Sequence, residues 1–519
     1  MIGQRTIYAS QGVTKLIVNT FWGLPQGGVI SRTMWALVAD SLLKWLSKQG
    51  FADDGTVLII GAFLSTICEI MQRVLHGIEK WCDERQLSVN PSKTELILFT
   101  IKLKIEGFQS ITFYGKTLAL SNQVKYLGVL LDSKLSRKNH VEAKCNKYVL
   151  AAFYQVRRAV GTTWLYTAVI RPIIAYAAVV WWPRVTYSTV AKQLEHIQRF
   201  ACLYITGAIK TTPTAAMELI TGLVPLPVFI KQEAMAFCYR LRVSSQWYQN
   251  GCGHTTIKCI MARQIPESLF PSDSAIIAKY YFDKNYGVHI PERDDWHNNN
   301  VLLNDDIVCF TDGSRLTQVG SSGSGVSIIN SQEEYCFPLG YYCTVYQAEI
   351  YAILACAQLC RMREEYGASV AICSDSQAAL KSLSSAKVTF ALVAQTVEEL
   401  QLLSMHSNLG LLWVPGHCGF EGNEKSDLLA KQASVSNFTG PEPVFGLSIT
   451  TLRTNLRKWA LKEQRISWQQ NPRCRQTKLY INEPNPGLAK FALSLRKQDL
   501  RLLTDYLLDM SLLTDISQS

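Results

Sequence analysis

No CxxC pair occurs among the fifteen cysteines, and their odd number leaves at least one without a disulfide partner. That pattern argues against both a paired-cysteine zinc module and a disulfide-stapled secreted fold. Many of the cysteines sit inside apolar runs such as YAILACAQLC and VAICSD, and they read as buried free thiols in a reducing compartment. Cys252, His254 and Cys259 in CGHTTIKC match no zinc spacing and read as a loop. No cysteine follows Cys474, so a terminal zinc site is not expected.

Other absences narrow the class further. The N-terminus MIGQRTIYASQGVTK lacks a charged start followed by a long apolar core, so no signal peptide is indicated. The most membrane-like stretch, LYTAVIRPIIAYAAVVWWP, is broken by Arg171 and Pro172 and reads as a buried helix pair, not a transmembrane span. The expectation is an intracellular protein, in cytoplasm or nucleus, with no membrane partner. Acidic residues are outnumbered, 41 against 52 basic, and the net charge of +11 favours a polyanionic partner such as nucleic acid over a small-molecule substrate.

What is present has a clear order. At 519 residues and 48% hydrophobic, the chain is long enough for about three cores at roughly 150 residues each. Ile67, Ile70, Met71, Val74, Ile78 and Trp81 recur at helical spacing over residues 61–81, before ELILFT, ITFYGK and KYLGVLLD, which read as a small sheet. From about His140 to Arg242 the pattern is helical, with QLEHIQRFACLYITG as a long amphipathic segment. Residues 245–304 lose periodicity and read as a linker.

From Ile307 a new rhythm begins. IVCFTDGS, GSGVSIIN and EYCFPLGYY read as three strands, YQAEIYAILACAQLCRMREE as a helix and ASVAICSD as a buried strand. Two helical stretches, the strand LGLLWVPG and a last helix near Asn423–Ala433 complete the order βββαβααβα, a mixed sheet with helical crossovers. The basic stretch LRTNLRKWALKEQRISWQQ follows. Arg453, Arg457, Lys458, Lys462 and Arg465 could track a phosphate backbone while Trp459 and Trp468 stack on bases. The favoured reading is a solvated helix whose tryptophans dock on the sheet domain.

Four carboxylates stand out in that third segment. Asp312 in FTDGS and Asp375 in CSDSQ end the first and fourth strands, whose C-terminal ends open on one crevice if the strands are adjacent. Glu349 in YQAEIYA falls in the first turn of its helix, and Asp427 in GNEKSDLLAK begins the last one. Acids from four elements repel one another in a shared cleft unless divalent cations neutralise them, and oxygen-only ligands select Mg2+, with Mn2+ possible. Two such ions suit phosphodiester displacement. His417 in VPGHCGFEGN lies on a glycine-bounded loop, where an imidazole can move a proton.

FTDGS, YQAEIYAI, SDSQAAL and WVPGHCGFEGNEKSDLLAK, in order and spacing, resemble the type I ribonuclease H domain of jockey-like non-LTR retrotransposons over residues 305–436. The resemblance implies a mixed five-stranded ribonuclease H-like sheet and cleavage of the RNA strand of an RNA–DNA hybrid. It implies Asp312, Glu349, Asp375 and Asp427 as ligands for two metal ions, His417 as the loop histidine, and Gly313 and Ser314 near the hybrid. GLPQGGVIS, FADD, VNPSKTELILF and KYLGVLLD resemble reverse transcriptase palm segments, with Asp53 and Asp54 as the catalytic pair.

Residues 1–135 are then expected as a partial palm, 136–245 as a helical thumb or connection, 246–304 as linker and 437–519 as a basic helical tail. The only other acid in residues 1–50 is Asp40, which sits after the PQG loop and cannot be the third catalytic aspartate. KQG also runs directly into FADD, leaving little strand to pair with TVLII. The expectation is an N-terminally truncated element in which Asp53 and Asp54 are remnants and the nuclease is intact. A residual polymerase, or a binding protein that keeps the fold without turnover, is the alternative.

Overall fold

Apolar residues at helical spacing form the helix Leu64–Glu84, which buries Cys68 and Leu75 against Ile111, Phe113 and Leu118. It belongs to the first of two units, Met1–His140 and Val141–Ser519. The computed structural model describes residues 5–11, 14–20, 42, 50–51, 54–87, 89–102, 105–147, 162–244, 254–297, 305–316, 320–363, 367–472, 474 and 477–507.

The small sheet expected after this helix is instead a pair of separate two-stranded ribbons. Thr112–Phe113 pairs with Lys116–Thr117, and Gln123–Tyr126 with Val129–Asp132. ELILFT contributes one bridge, Leu96 to Leu120. Gln123–Tyr126 alternates exposed and half-buried residues, so it offers no buried face on which further strands could assemble. Arg5–Gln11 and Thr14–Thr20 form an antiparallel hairpin that the sequence reading did not anticipate. Around the paired aspartates, Gly50–Phe51 pairs with Asp54–Gly55 over two positions, and Asp53 lies outside the described residues.

In the second unit the stretch from Leu165 to Pro183 is a bent helix pair, Thr163–Ala175 and Ala178–Thr186, turned by 51°. Tyr166, Ile170, Ile174, Trp181 and Trp182 are buried with Leu194, Ile197 and Ala201 of the helix Ser188–Thr206. No single described helix is long and apolar enough to cross a membrane.

Within the stretch expected as a linker, the described residues 254–297 carry regular structure. They form the helix His254–Gln264, where a loop was expected, then β1 (Ser274–Tyr280) and β2 (Gly287–His289). Periodicity fails there because the strands are short and each uses a different partner. The chain continues as β3 (Ile307–Arg315), β4 (Ser322–Ile328), β5 (Glu333–Gly340), α1 (Val345–Met362), β6 (Ser369–Ser374), α2 (Gln377–Ser384), β7 (Lys387–Phe390), α3 (Ala391–Ser404), β8 (Asn408–Trp413), α4 (Glu421–Val435) and α5 (Ile449–Gln470). One sheet has the order β2-β8-β6-β3-β4-β5, so it has six strands where five were expected. The sixth is β2, added parallel to β8, while β7 leaves the sheet to pair with β1.

β3 and β6 are buried along most of their lengths, as strands in the middle of a covered sheet must be, and their apolar runs IVCF and VAIC lie side by side. The described part of the last segment packs inward. Leu452, Leu456, Trp459 and Trp468 of α5 join the core of the helical body, and Trp468 donates to the Ile481 carbonyl at 3.1 Å. The tryptophans therefore dock on helices and not on the sheet, which was the expected platform.

α4 crosses β4 at a glycine. A Cβ at Gly325 would stand 2.2 Å from the Ser426 carbonyl oxygen and 2.6 Å from the Ala430 nitrogen, both backbone atoms that cannot swing aside. Gly325→Ala is expected to destabilise the second unit by about 2 kcal/mol through overpacking. The check is a lowered urea midpoint with an unchanged slope.

Candidate active site

Strand register sets the first two acids side by side. Thr311 of β3 lies opposite Ser374 of β6, so the residue after each, Asp312 and Asp375, leaves the parallel pair at one level. Asp312 is buried and Asp375 half-buried. Thr311 Oγ1 donates to the Cys373 carbonyl at 3.1 Å, and the Trp413 indole donates to the Asp375 carbonyl at 3.0 Å, which fixes the turn carrying Asp375 from both sides.

Glu349 is the fifth residue of α1, beyond the first turn where it was expected. Thr344 caps the helix with its hydroxyl on the Gln347 amide, and Gln347 answers on the Thr344 amide. Gln347 also donates to Asp273 at 3.0 Å and to the Gly446 carbonyl at 2.9 Å, so segments outside the sheet hold the helix end in place. Gly313 admits the helix. A Cβ there would lie 2.3 Å from the Glu349 nitrogen, so any other residue would push α1 off the end of β3. Ser324 adds a tie from β4, donating to the Ala348 carbonyl at 2.6 Å.

The result is a trio. Asp312, Glu349 and Asp375 each offer a carboxylate oxygen within 4.8 Å of the others. Asp427, the seventh residue of α4, stands outside that trio but near enough to raise the Asp312 pKa through both charge and hydrogen bonding. It also accepts from Lys431 Nζ at 2.6 Å.

Burial pushes the Asp312 carboxyl up to about 7, with the charges of Asp375 and Asp427 adding to it and the Gly313 amide opposing. Burial, then Asp312 and Asp375, hold Glu349 well above the ordinary carboxylate range. Asp375 is also raised, chiefly by burial, although a hydrogen bond from the Asn423 side chain and the nearby His417 pull it down. Glu349 Oε2 is buried and accepts no hydrogen bond among the described residues. Acids this close are relieved by positive charge, and an oxygen-only donor set with one orphaned oxygen fits a hard divalent cation such as Mg2+ or Mn2+.

His417 is exposed on the loop between Gly416 and Gly419, with a φ of 55°. A Cβ at Gly416 would fall 2.6 Å from Asp375 Oδ2, so the loop passes tightly over that acid. Gly313 is buried and Ser314 half-buried at the end of β3. Asp53 is outside the described residues, as is the side chain of Asp54. Sequence reasoning missed Asn423 and Lys431. They lie four residues either side of Asp427 on one helix face, and that spacing was the available signal.

Residues 304–435 match the RNase H family model, and residues 5–131 match the family model for reverse transcriptase (RNA-dependent DNA polymerase). The chain is 26% identical over 238 residues to a retrovirus-related Pol polyprotein from the type-1 retrotransposable element R1 of Bradysia coprophila, covering 43% of this chain and 23% of that protein. It is 25% identical over 221 residues to an R1 Pol polyprotein of Nasonia vitripennis, covering 39% and 65%. With the RNA-directed DNA polymerase from mobile element jockey of Drosophila funebris it shares 25% over 129 residues, covering 23% and 14%. The chain thus resembles the reverse transcriptase and ribonuclease H proteins of R1- and jockey-type non-LTR retrotransposons, and it spans about a quarter of the first relative's length.

The raised acid gives a pH prediction. With its folded pKa at about 7 against about 4 unfolded, Asp312 favours the folded state fully below about pH 4, and this contribution is lost as pH rises to about 7. The urea midpoint of the metal-free chain is expected to fall over that window, and Asp312→Asn to flatten the fall. Millimolar Mg2+ at about pH 8 is expected to raise the midpoint of the parent and not of the variant, by binding the folded state.

Proposed function

We propose that this chain is a type I ribonuclease H acting on RNA–DNA hybrids, within a retrotransposon protein whose polymerase activity is lost. The observation that carries the reading is the approach of Asp312, Glu349 and Asp375 to within 4.8 Å. Like charges held that close in a half-dry cleft are unfavourable for stability alone, so they point to a cation-dependent use. The RNase H match over residues 304–435 supplies the substrate class.

In this reading Asp312, Glu349, Asp375 and Asp427 hold two Mg2+ ions. Such a pair, when bound, activates a water and stabilises the leaving oxygen of a phosphodiester. The Asn423 side chain favours the charged form of Asp375, and Lys431 moderates the charge of Asp427. The His417 imidazole, exposed above Asp375, carries a proton between cleft and solvent at a ring nitrogen. Gly313 and Ser314 lie where the RNA strand's 2′-hydroxyls would be read. Products carry a 3′-hydroxyl and a 5′-phosphate. Fourteen described cysteines are free, which suits an intracellular setting.

Asp53 and Asp54 are assigned no working role, because among the described residues the strands flanking them pair over two positions, too few to form a stable hairpin. Primer extension on an RNA template is expected to yield no product, and extension abolished by Asp54→Asn would reverse that assignment. For the nuclease, the full chain with Mg2+ is expected to shorten the labelled RNA of a hybrid. Asp375→Asn should lose at least about 100-fold of the rate, and His417→Ala about 10- to 100-fold. Intact RNA, or cleavage indifferent to Asp375→Asn, would falsify the reading.

A further inference from the structure

Charge is unevenly spread along the chain. Residues 441–507 contain twelve lysines and arginines against five acids, a surplus of seven where the whole chain carries +11. Within this segment α5 presents Arg453, Arg457, Lys458, Lys462 and Arg465, all exposed, while Leu452, Leu456, Trp459, Ala460, Gln464 and Trp468 are buried. Arg465 pairs with Glu483 at 2.9 Å.

Two features turn this from a solvated face into a directed one. First, α5 starts beside the candidate active site. Its cap is Ser448, and the Gly446 carbonyl two residues earlier is held by Gln347, itself two residues before Glu349. A 22-residue helix extends about 33 Å, close to one turn of duplex at roughly 34–36 Å. Second, burial of both tryptophans removes the rings that would stack on unpaired bases. What is left is cationic and unable to read sequence, which suits the regular phosphate rows of a duplex.

We propose that the exposed basic face of α5 binds the sugar–phosphate backbone of the nucleic-acid duplex whose RNA strand enters the acidic cleft. It lies outside the 304–435 match and extends the duplex contact beyond the cleft. This inference rests on the nuclease reading for the identity of the duplex, and its test measures binding without turnover.

The experiment uses the full chain carrying Asp375→Asn, in EDTA, with fluorescence anisotropy on hybrids of about 8 and about 24 base pairs over a range of salt. Adding Arg453→Gln, Arg457→Gln, Lys458→Gln and Lys462→Gln is expected to weaken binding of the long hybrid at least tenfold. The slope of log affinity against log salt should shrink by about 3 to 4, at about 0.9 per lost phosphate contact. The short hybrid should bind as before, and a charge-keeping set, Arg453→Lys, Arg457→Lys, Lys458→Arg and Lys462→Arg, should bind like the parent. An unchanged salt slope overturns the proposal. So does equal loss in the charge-keeping set, or a parent that binds no duplex. RNA cleavage by the chain with Asp375 intact and Mg2+ present, beside an unchanged slope in the EDTA binding assay, would leave the nuclease standing and remove the ridge alone.

Discussion

Carboxylates forced together away from water repel one another, and the rest of the second unit is arranged around keeping that repulsion in place. Asp312 and Glu349 are each 7% exposed, so water screens them little, and each is raised partly by the charge of neighbouring acids. A fold gains nothing from such an arrangement unless something positive joins it. Lys431 supplies one positive charge, on the outermost acid, and the Asn423 side chain favours the charged form of Asp375. The orphaned Glu349 Oε2 leaves capacity for a hard cation.

Holding the cluster requires rigid neighbours, because mutually repelling groups drift apart on flexible ones. Asp312 sits in the middle of the sheet, paired through β3 to β4 on one side and β6 on the other. α1 is fixed at its start by its capping box and by Gln347, whose partners Asp273 and Gly446 come from segments before and after the RNase H match. Asp273 also accepts from the Leu392 amide at 3.1 Å, joining the start of α3 to the same anchor. The stretch that looked like a linker thus serves as a brace.

The acidic cleft and the basic helix are complementary parts of one electrostatic design. Negative charge is concentrated where cations would be held and positive charge along α5, which starts close to the helix of Glu349. A polyanionic duplex would be drawn to the second, and bound cations would ease its approach to the first. The first unit carries the reverse transcriptase match, yet beyond the hairpin of Arg5–Gln11 and Thr14–Thr20 its described strands are short separate ribbons, of which Thr112–Phe113 packs on the helix Leu64–Glu84.

Local pattern was enough to read the order βββαβααβα apart from the four-residue β7, together with the long amphipathic helices and the free thiols, and it singled out the acids of which Asp312, Glu349 and Asp375 converge. Apolar period and turn residues are written residue by residue, and acids with no apolar role stand out against them. Tertiary structure alone decided what depends on partners distant in sequence. Three residues of β2 become a sheet edge only because β8 is there, and the ribbons of the first unit stay separate because no buried face joins them. Trp459 and Trp468 turn inward because a helical core is available, and Asn423 matters because α4 brings it to Asp375. Register and packing are set by contacts across the fold, and no window of neighbouring residues carries that information.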